Sequence, residues 1–467
     1  MQEPFAPNFE SLARYGVPAW FRDAKLGIFI HWGVYSVPAW GNEWYPRKMY
    51  RPQDPQDRPF YEHHCATWGH PGTFGYKDFI PRFTGERWDP EAWLDLFVAA
   101  GARYIVPVAE HHDGFPMYAS PFTHWNAAEM GPRRDVCREL MDLTRQRGLK
   151  FGVSSHRAFN WHYYGSDDTW DTVDPANVGL YGRRHAPEAP ADQAFMEDWF
   201  ARTLHLMDTF QPDVLWFDFG WHSPEYAPWR PQVLAAYYNR ARQWGREVVL
   251  QYKDALPDGV AVLDVERGKL PGIRPDYWQT DTSVSVRSWG YIEDDVFRSS
   301  ASLIHDLVDI VSKNGNLLLN VGPRPDGTIP AEAEQVLRDI GAWLDLNGEA
   351  IYGTRPWRVY GEGPTPVGGG HFSEQTNAPL TPLDIRYTTR LEDGRPLLYA
   401  IVPGEPGSTV TLTALAGDPA PERVTLLGSD AALRWERRPE GLVLRLPERR
   451  PSPHALALRL EGLPAQG

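Results

Sequence analysis

Two carboxylates in this sequence sit where an anion is expensive. Asp218 lies in DVLWFDFGW (213–221), flanked by Trp216, Phe217 and Phe219, so its charge needs compensation from elsewhere in the fold. Glu266 closes another apolar run, VAVLDVE (260–266). Two carboxyls with opposite tasks are what acetal hydrolysis requires. One, ionised, attacks or stabilises the anomeric centre. The other, kept protonated by a raised pKa, protonates the leaving oxygen. An ion pair is the plainer account of any single carboxylate, and for Glu266 that partner would be Arg267. Their placement on neighbouring segments favours chemistry.

Histidines form the second group. His31 follows LGIFI, His111 and His112 precede Asp113, and His156 ends KFGVSSH (150–156). Such residues can ligate a metal. Adjacent strand positions point to opposite faces, so His111 and His112 cannot easily share one ion, and no HExxH-like spacing is present. Neutral imidazoles also hydrogen-bond sugar hydroxyls, and that reading is preferred, with no metal. A further cluster, His63, His64, Cys65 and His70, reads as a solvated loop. Aromatic residues make up 13% of the chain, with 20 Trp and 21 Tyr. Trp32, Trp40, Trp44, Trp125, Trp161, Trp221 and Trp289 fall in apparent loops, where indole faces could meet sugar rings, although burial in a core explains many tryptophans.

These residues need a frame. Between about 24 and 345, short apolar runs alternate with helix-period segments. Strands are expected near 27, at 104–112, 150–156, 213–220, 246–253, 260–266, 276–282 and 316–322. Helices are expected at 89–101, 135–148, 192–210, 231–245, 294–315 and 330–348, several opening at Asp and closing at Gly. The economical solution is α/β, a (β/α)8-like barrel, with a doubly wound open sheet as its competitor. Helices between strands five and seven read as short or missing, which leaves room for an irregular barrel. In a barrel, working residues gather at the C-terminal strand ends. His31, Glu110 to Asp113, Ser154 to His156, Asp218, Lys253, Asp264, Glu266, Gln279 and Asp281 all fall there. After Gly353 the texture becomes short alternating runs between turns. A catalytic barrel over 1–353 is therefore expected, then a small antiparallel β-sandwich over 354–467. GEGPTPVGGG (361–370) reads as a flexible loop at the junction.

The composition narrows the partners. A net charge of −14 argues against nucleic acid and anionic membranes. No apolar stretch approaches the ~20 residues of a membrane span. The two cysteines, Cys65 and Cys137, allow at most one disulfide. The N-terminus lacks the basic and apolar regions of a signal peptide, so a cytoplasmic location is expected, or a secreted one had a leader been removed. A homo-oligomer is left open.

WFRDAKLGIFIHWGVYSVPAWGNEWY (20–45), HHDGF (111–115), LWFDFGW (215–221), SWGY (288–291) and NGNLLLNVGPRPDGTI (314–329) resemble, in this order, glycoside hydrolase family 29, the α-L-fucosidases. The resemblance spans roughly 10–353. It implies a retaining, metal-free and cofactor-free double displacement on a terminal α-L-fucosyl residue of an oligosaccharide or glycoconjugate. Asp218 matches the nucleophile position. His31, His111, His112, Glu43 and Trp44 match sugar contacts, Trp216 would line the ring, and Trp289 would pack on the C5 methyl. Glu266 is the best match for the general acid/base, ahead of Asp264, Asp281 and Glu293. Three departures stand out. SSH (154–156) replaces a common YYS, so that His156, or a tryptophan from another loop, would take the place of a tyrosine contact to the sugar. Trp278 is followed by Gln279 rather than Glu. Lys253 stands nearest to a frequent arginine. Three alternatives are a related L-sugar such as α-L-galactoside, a catalytically inactive fucose-binding protein, and a metallohydrolase built on the histidines.

Overall fold

The computed structural model describes residues 3–429 and 432–464. Eight short segments, almost wholly buried on both faces, pair in parallel: β1 (Leu26–Ile30), β2 (Tyr104–Glu110), β3 (Lys150–Ser155), β4 (Val214–Phe217), β5 (Val249–Tyr252), β6 (Val262–Asp264), β7 (Trp278–Ser283) and β8 (Gly315–Val321). β1 bonds to β2 on one side and β8 on the other, so the sheet closes into a barrel in chain order. Continuous apolar runs fit this because helices outside and packed side chains inside leave neither face wet. The open-sheet alternative is thereby ruled out.

One N-capping device starts four of the outer helices. The side chains of Asp89, Asp135, Asp192 and Ser299 accept from backbone amides three residues on, opening Pro90–Ala99, Val136–Gln146, Gln193–Phe210 and Ser300–Ser312. The last is shorter than the expected 294–315. Its first part is diverted into a bridge with the chain after β7, where Val286 N donates to the Val296 carbonyl and Arg298 N to that of Val284. Arg230–Trp244 and Ala331–Asn347 complete the longer helices. Among the described residues no helix separates β5 from β6 or β6 from β7, the irregularity anticipated above. His63, His64 and Cys65 are not in a loop but in the helix Arg58–Thr67, where buried His64 lies between the Tyr45 hydroxyl and the Phe74 carbonyl. Cys65 and Cys137 are both free. No described helix is long and apolar enough to cross a membrane.

Two antiparallel sheets follow. One has the order β13-β16-β11-β10-β9 and the other β12-β15-β14. Their strands are β9 (Arg355–Glu362), β10 (Ile385–Glu392), β11 (Arg395–Pro403), β12 (Thr409–Leu412), β13 (Arg423–Leu426), β14 (Arg434–Arg438), β15 (Gly441–Arg445) and β16 (Ala455–Glu461). β11 shows how they are anchored. Leu398, Ala400 and Val402 face the core between the two sheets, while Leu397, Tyr399 and Ile401 join the core of the barrel. Strand periodicity lets one segment serve both.

A buried ion cluster fastens the same contact. Asp309, on the helix Ser300–Ser312, receives Arg386 Nε from β10 at 2.6 Å and Lys313 Nζ at 2.7 Å. All three side chains are almost completely buried. Asp309→Ala would strand two cations in the interior. It is expected to cost about 3–5 kcal/mol, read as a lowered midpoint in thermal or urea unfolding. A midpoint equal to wild type would refute this role.

Candidate active site

The barrel's C-terminal rim gathers what the strands carry. β4 ends at Phe217, and the next residue, Asp218, projects into the mouth with only 6% of its surface exposed. Three groups surround its carboxylate. His112 Nε2 lies 2.9 Å and His156 Nδ1 3.1 Å from Oδ2, and Lys253 Nζ is 3.0 Å from Oδ1. Burial alone would raise the Asp218 pKa, but Lys253, then His156 and the two histidine hydrogen bonds, outweigh it and hold the carboxyl well below the usual range. This is the compensation that an aspartate among aromatics demanded.

Lys253, just beyond β5, is the hub. Its ammonium also lies 2.5 Å from Glu266 Oε2 and 3.6 Å from Asp281 Oδ2. Burial would lower its pKa, but Asp218, Asp281 and Glu266 overcome this and push it well above the ordinary lysine value. Two oxygens sharing one ammonium at 3.0 and 2.5 Å can be separated by at most about 5.5 Å. Glu266 is thus paired with Lys253 and not with Arg267, whose guanidinium meets Glu374 at 3.1 Å. Burial, with Asp218 and Asp264 adding to it, raises the Glu266 pKa against the pull of Lys253. The two carboxyls are shifted in opposite directions, Asp218 down and Glu266 up.

Around them stand the histidine rings. Burial lowers His31 and His111 well below the usual histidine value and brings His156 down to about 4, despite Asp218 beside it. His31 Nδ1 meets Asn320 Oδ1 of β8 at 2.7 Å, and Asn320 Nδ2 donates to the Trp289 carbonyl at 2.8 Å. His156 Nε2 faces the Ser154 hydroxyl at 3.1 Å, and His112 Nδ1 faces the His156 carbonyl at 2.7 Å. His111 Nδ1 is buried with no hydrogen-bond partner among the described residues, which suits a ligand hydroxyl. Glu43 fixes SWGY: its Oε2 accepts from the Ser288 hydroxyl and the Trp289 amide, both at 2.9 Å. Trp44 stacks on His112 and Phe219 and forms one wall. Trp216, under Lys253, forms another with Trp289.

All eleven residues expected at the site line one small cavity, together with Phe219 and Asp281. Their shared rim opens into a vestibule of about 510 Å³ that adds Asn42, Asp254, Arg267, Arg287, His371 and Phe372. The other acid candidates are placed differently. Glu293 is exposed. Asp264 lies beneath the floor, receiving Trp216 Nε1 at 3.1 Å and the Gln279 amide. Asp281 is 1% exposed, and burial with Asp264 raises it well above the usual carboxylate range. Of the loop tryptophans, Trp44 and Trp289 reach the site. Trp32 and Trp221 are fully enclosed in the core, Trp221 stacked on Phe217.

The histidine geometry departs from expectation in one respect. β2 ends at Glu110, so His111 and His112 lie in the following turn, and strand alternation does not separate them. Their ring centroids are 4.7 Å apart and both face the cavity. Donor atoms of His31, His111 and His156 lie within 4.8 Å of one another, as do those of His112, His156 and Asp218. The second cluster fits a cation poorly. The Lys253 ammonium already occupies one Asp218 oxygen, and a metal there would meet its charge.

Asn320, His371 and Phe372 escaped the sequence reading. Asn320 had a signal, as a polar residue near the C-terminal end of the largely apolar eighth strand. His371 and Phe372 had none, because they meet a residue more than one hundred positions away.

Comparison with known proteins agrees with this geometry. The family model described as Alpha-L-fucosidase matches residues 1–349. The chain is 32% identical to human tissue alpha-L-fucosidase over 464 residues, covering 96% of this chain and 89% of that protein. It is 31% identical to the rat tissue enzyme over 460 residues, covering 95% and 89%. Among solved structures it resembles a Thermotoga maritima alpha-fucosidase in complex with fucose, with TM-score 0.78 and 29% identity over 98% of this chain and 100% of that one. The same enzyme with a mechanism-based inhibitor gives a TM-score of 0.79 at the same identity and coverage. With the family model spanning the whole barrel, this chain belongs to the α-L-fucosidase family of glycoside hydrolases.

Proposed function

We propose that the protein hydrolyses terminal α-L-fucosyl residues of glycans or glycoconjugates with retention of configuration, through a covalent glycosyl-enzyme. One observation carries the mechanism: Lys253 touches both carboxylates, which holds them within about 5.5 Å. Retaining glycosidases need about 5–5.5 Å, so that the nucleophile reaches the anomeric carbon directly, whereas inverting ones need about 6.5–9.5 Å for an intervening water.

In the first step an Asp218 oxygen bonds to C1 as the C1–O bond to the leaving group breaks. Glu266 gives its proton to the departing oxygen. In the second, Glu266, now a carboxylate, takes a proton from water as that water attacks C1 and expels Asp218. His31, His111, His112, His156 and Glu43 supply hydrogen bonds to the ring hydroxyls. Lys253 holds the nucleophile ionised. Trp44 and Trp216 wall the ring, and Trp289 presents its indole to the C5 methyl. No buried donor is left unmatched by that methyl, which favours a 6-deoxy sugar. The fucose and inhibitor complexes of the Thermotoga maritima enzyme support the substrate assignment.

A 2-deoxy-2-fluoro-α-L-fucosyl fluoride should trap the intermediate, because the C2 fluorine slows both steps while the anomeric fluoride, a good leaving group, keeps the first fast enough for the glycosyl-enzyme to accumulate. Peptide mapping is expected to place the added mass on Asp218. Label on any other side chain would overturn the proposal.

A further inference from the structure

The loop after β9 is not the free connection that GGG suggested. Its end, residues 370–374, lies against residues 266–269, meeting them in a bridge between Gly370 and Lys269 and then entering the short 3-10 helix Ser373–Gln375. Gly370 N donates to the Lys269 carbonyl at 2.9 Å, Phe372 N to the Glu266 carbonyl at 2.7 Å, and Glu374 N to the Arg267 carbonyl at 3.0 Å. In return Glu266 N donates to His371 Nδ1 at 3.0 Å and Lys269 N to the Ser373 hydroxyl at 2.9 Å. A Cβ on Gly268 would come within 2.3 Å of the Gly370 carbonyl oxygen, so this close approach requires glycine. The C-terminal sheets therefore deliver a segment onto the very residues that carry the acid.

Phe372 is the member of that segment whose side chain is left outside the packing. Its backbone is left-handed, φ 59°, which a phenylalanine rarely adopts. Its side chain is 50% exposed at the vestibule wall. An exposed aromatic held in a strained backbone by hydrogen bonds on both sides points to function rather than packing. The site fixes what would lie against it. The glycosidic oxygen must reach the Glu266 carboxyl, and the leaving group extends outward from that oxygen. The outward space bordering Glu266 is this vestibule. Two of its cations are matched by carboxylates, Arg267 by Glu374 and Lys253 by Glu266. That suits an uncharged pyranose, whose C–H face packs on an aromatic ring.

We propose that Phe372 is the platform of a leaving-group subsite, on which the sugar released from fucose stacks, and that the C-terminal sheets thereby take part in substrate selection. This rests on Glu266 being the acid.

The test compares a substrate with a ring to stack against one without. kcat/KM is measured for fucosylated disaccharides of the α1,2, α1,3, α1,4 and α1,6 linkages and for α-L-fucosyl fluoride, whose leaving group is a single atom. For the best disaccharide, Phe372→Ala is expected to lower the disaccharide-to-fluoride ratio by about tenfold, mainly through KM. Phe372→Tyr is expected to restore it to within about twofold. The half-exposed side chain leaves no cavity when truncated, and the tyrosine variant provides a second reading should the alanine variant be unstable. A ratio unchanged by Phe372→Ala, or an equally low ratio in Phe372→Tyr, would overturn the proposal. A wild-type protein inert toward the fluoride would sink the reading of Asp218 and this one with it. An active protein with an unchanged ratio sinks only the subsite.

Discussion

Asp218→Gly is expected to lower kcat/KM for an activated aryl α-L-fucoside by roughly 10⁴-fold or more. The glycine removes the group that bonds to C1 and leaves a small space where it stood. Azide should enter that space from the face opposite the leaving group and restore turnover, giving β-L-fucosyl azide, the inverted product. Product configuration is the decisive readout, because a merely destabilised variant would lose activity without gaining an azide product. Rescue with retained configuration would mean that another residue is the nucleophile. Lys253, His112 and His156 converge on this carboxylate at 2.9 to 3.1 Å and hold its pKa down, whereas Glu266 and Asp281 beside it are pushed up.

The same convergence explains what could be read in advance. A buried aspartate among Trp216, Phe217 and Phe219 had to have partners, and each stood at the end of its own apolar run. The barrel's eight strands were legible because continuous apolar segments have few other uses. Helix starts were legible through Asp and Ser caps, but the helix at Ser300 was placed too early, because cross-bridge pairing of 294–298 with the chain after β7 has no local signature. Placing His63 to Cys65 in a loop failed because polar residues along one face of a short helix look like solvated coil. Pairing Glu266 with Arg267 failed because adjacent residues rarely share a direction, and only the fold shows that Lys253 and Glu374 divide them. Nothing in GGGHFSEQ announces that it will lie on residues 266–269. Such contacts belong to tertiary packing, and neither propensity nor periodicity encodes them locally.

Glu266→Ala should separate the two steps. With a good aryl leaving group no proton is needed, so the first step should be little changed, and the glycosyl-enzyme should accumulate because no base activates water. With a sugar leaving group, kcat/KM should fall by about 10²–10⁴-fold, the usual worth of a positioned acid. Azide should speed release from the accumulated intermediate and yield α-L-fucosyl azide, the retained product. The pH profile gives an independent reading. In the proposed mechanism Asp218 works as the anion, and its lowered pKa favours that form as the pH falls. Glu266 works there as the acid, and its raised pKa favours the protonated form as the pH rises. Activity is therefore bounded below by protonation of Asp218 and above by ionisation of Glu266. In Glu266→Ala the alkaline limb that the wild type shows in kcat/KM for a sugar leaving group should vanish, while the acid limb stays. Should the alkaline limb persist unmoved, the proton would have to come from another group. Asp281 would be next in line, because its pKa is also raised, but it lies 1% exposed in the floor and not at the rim that the leaving group must cross.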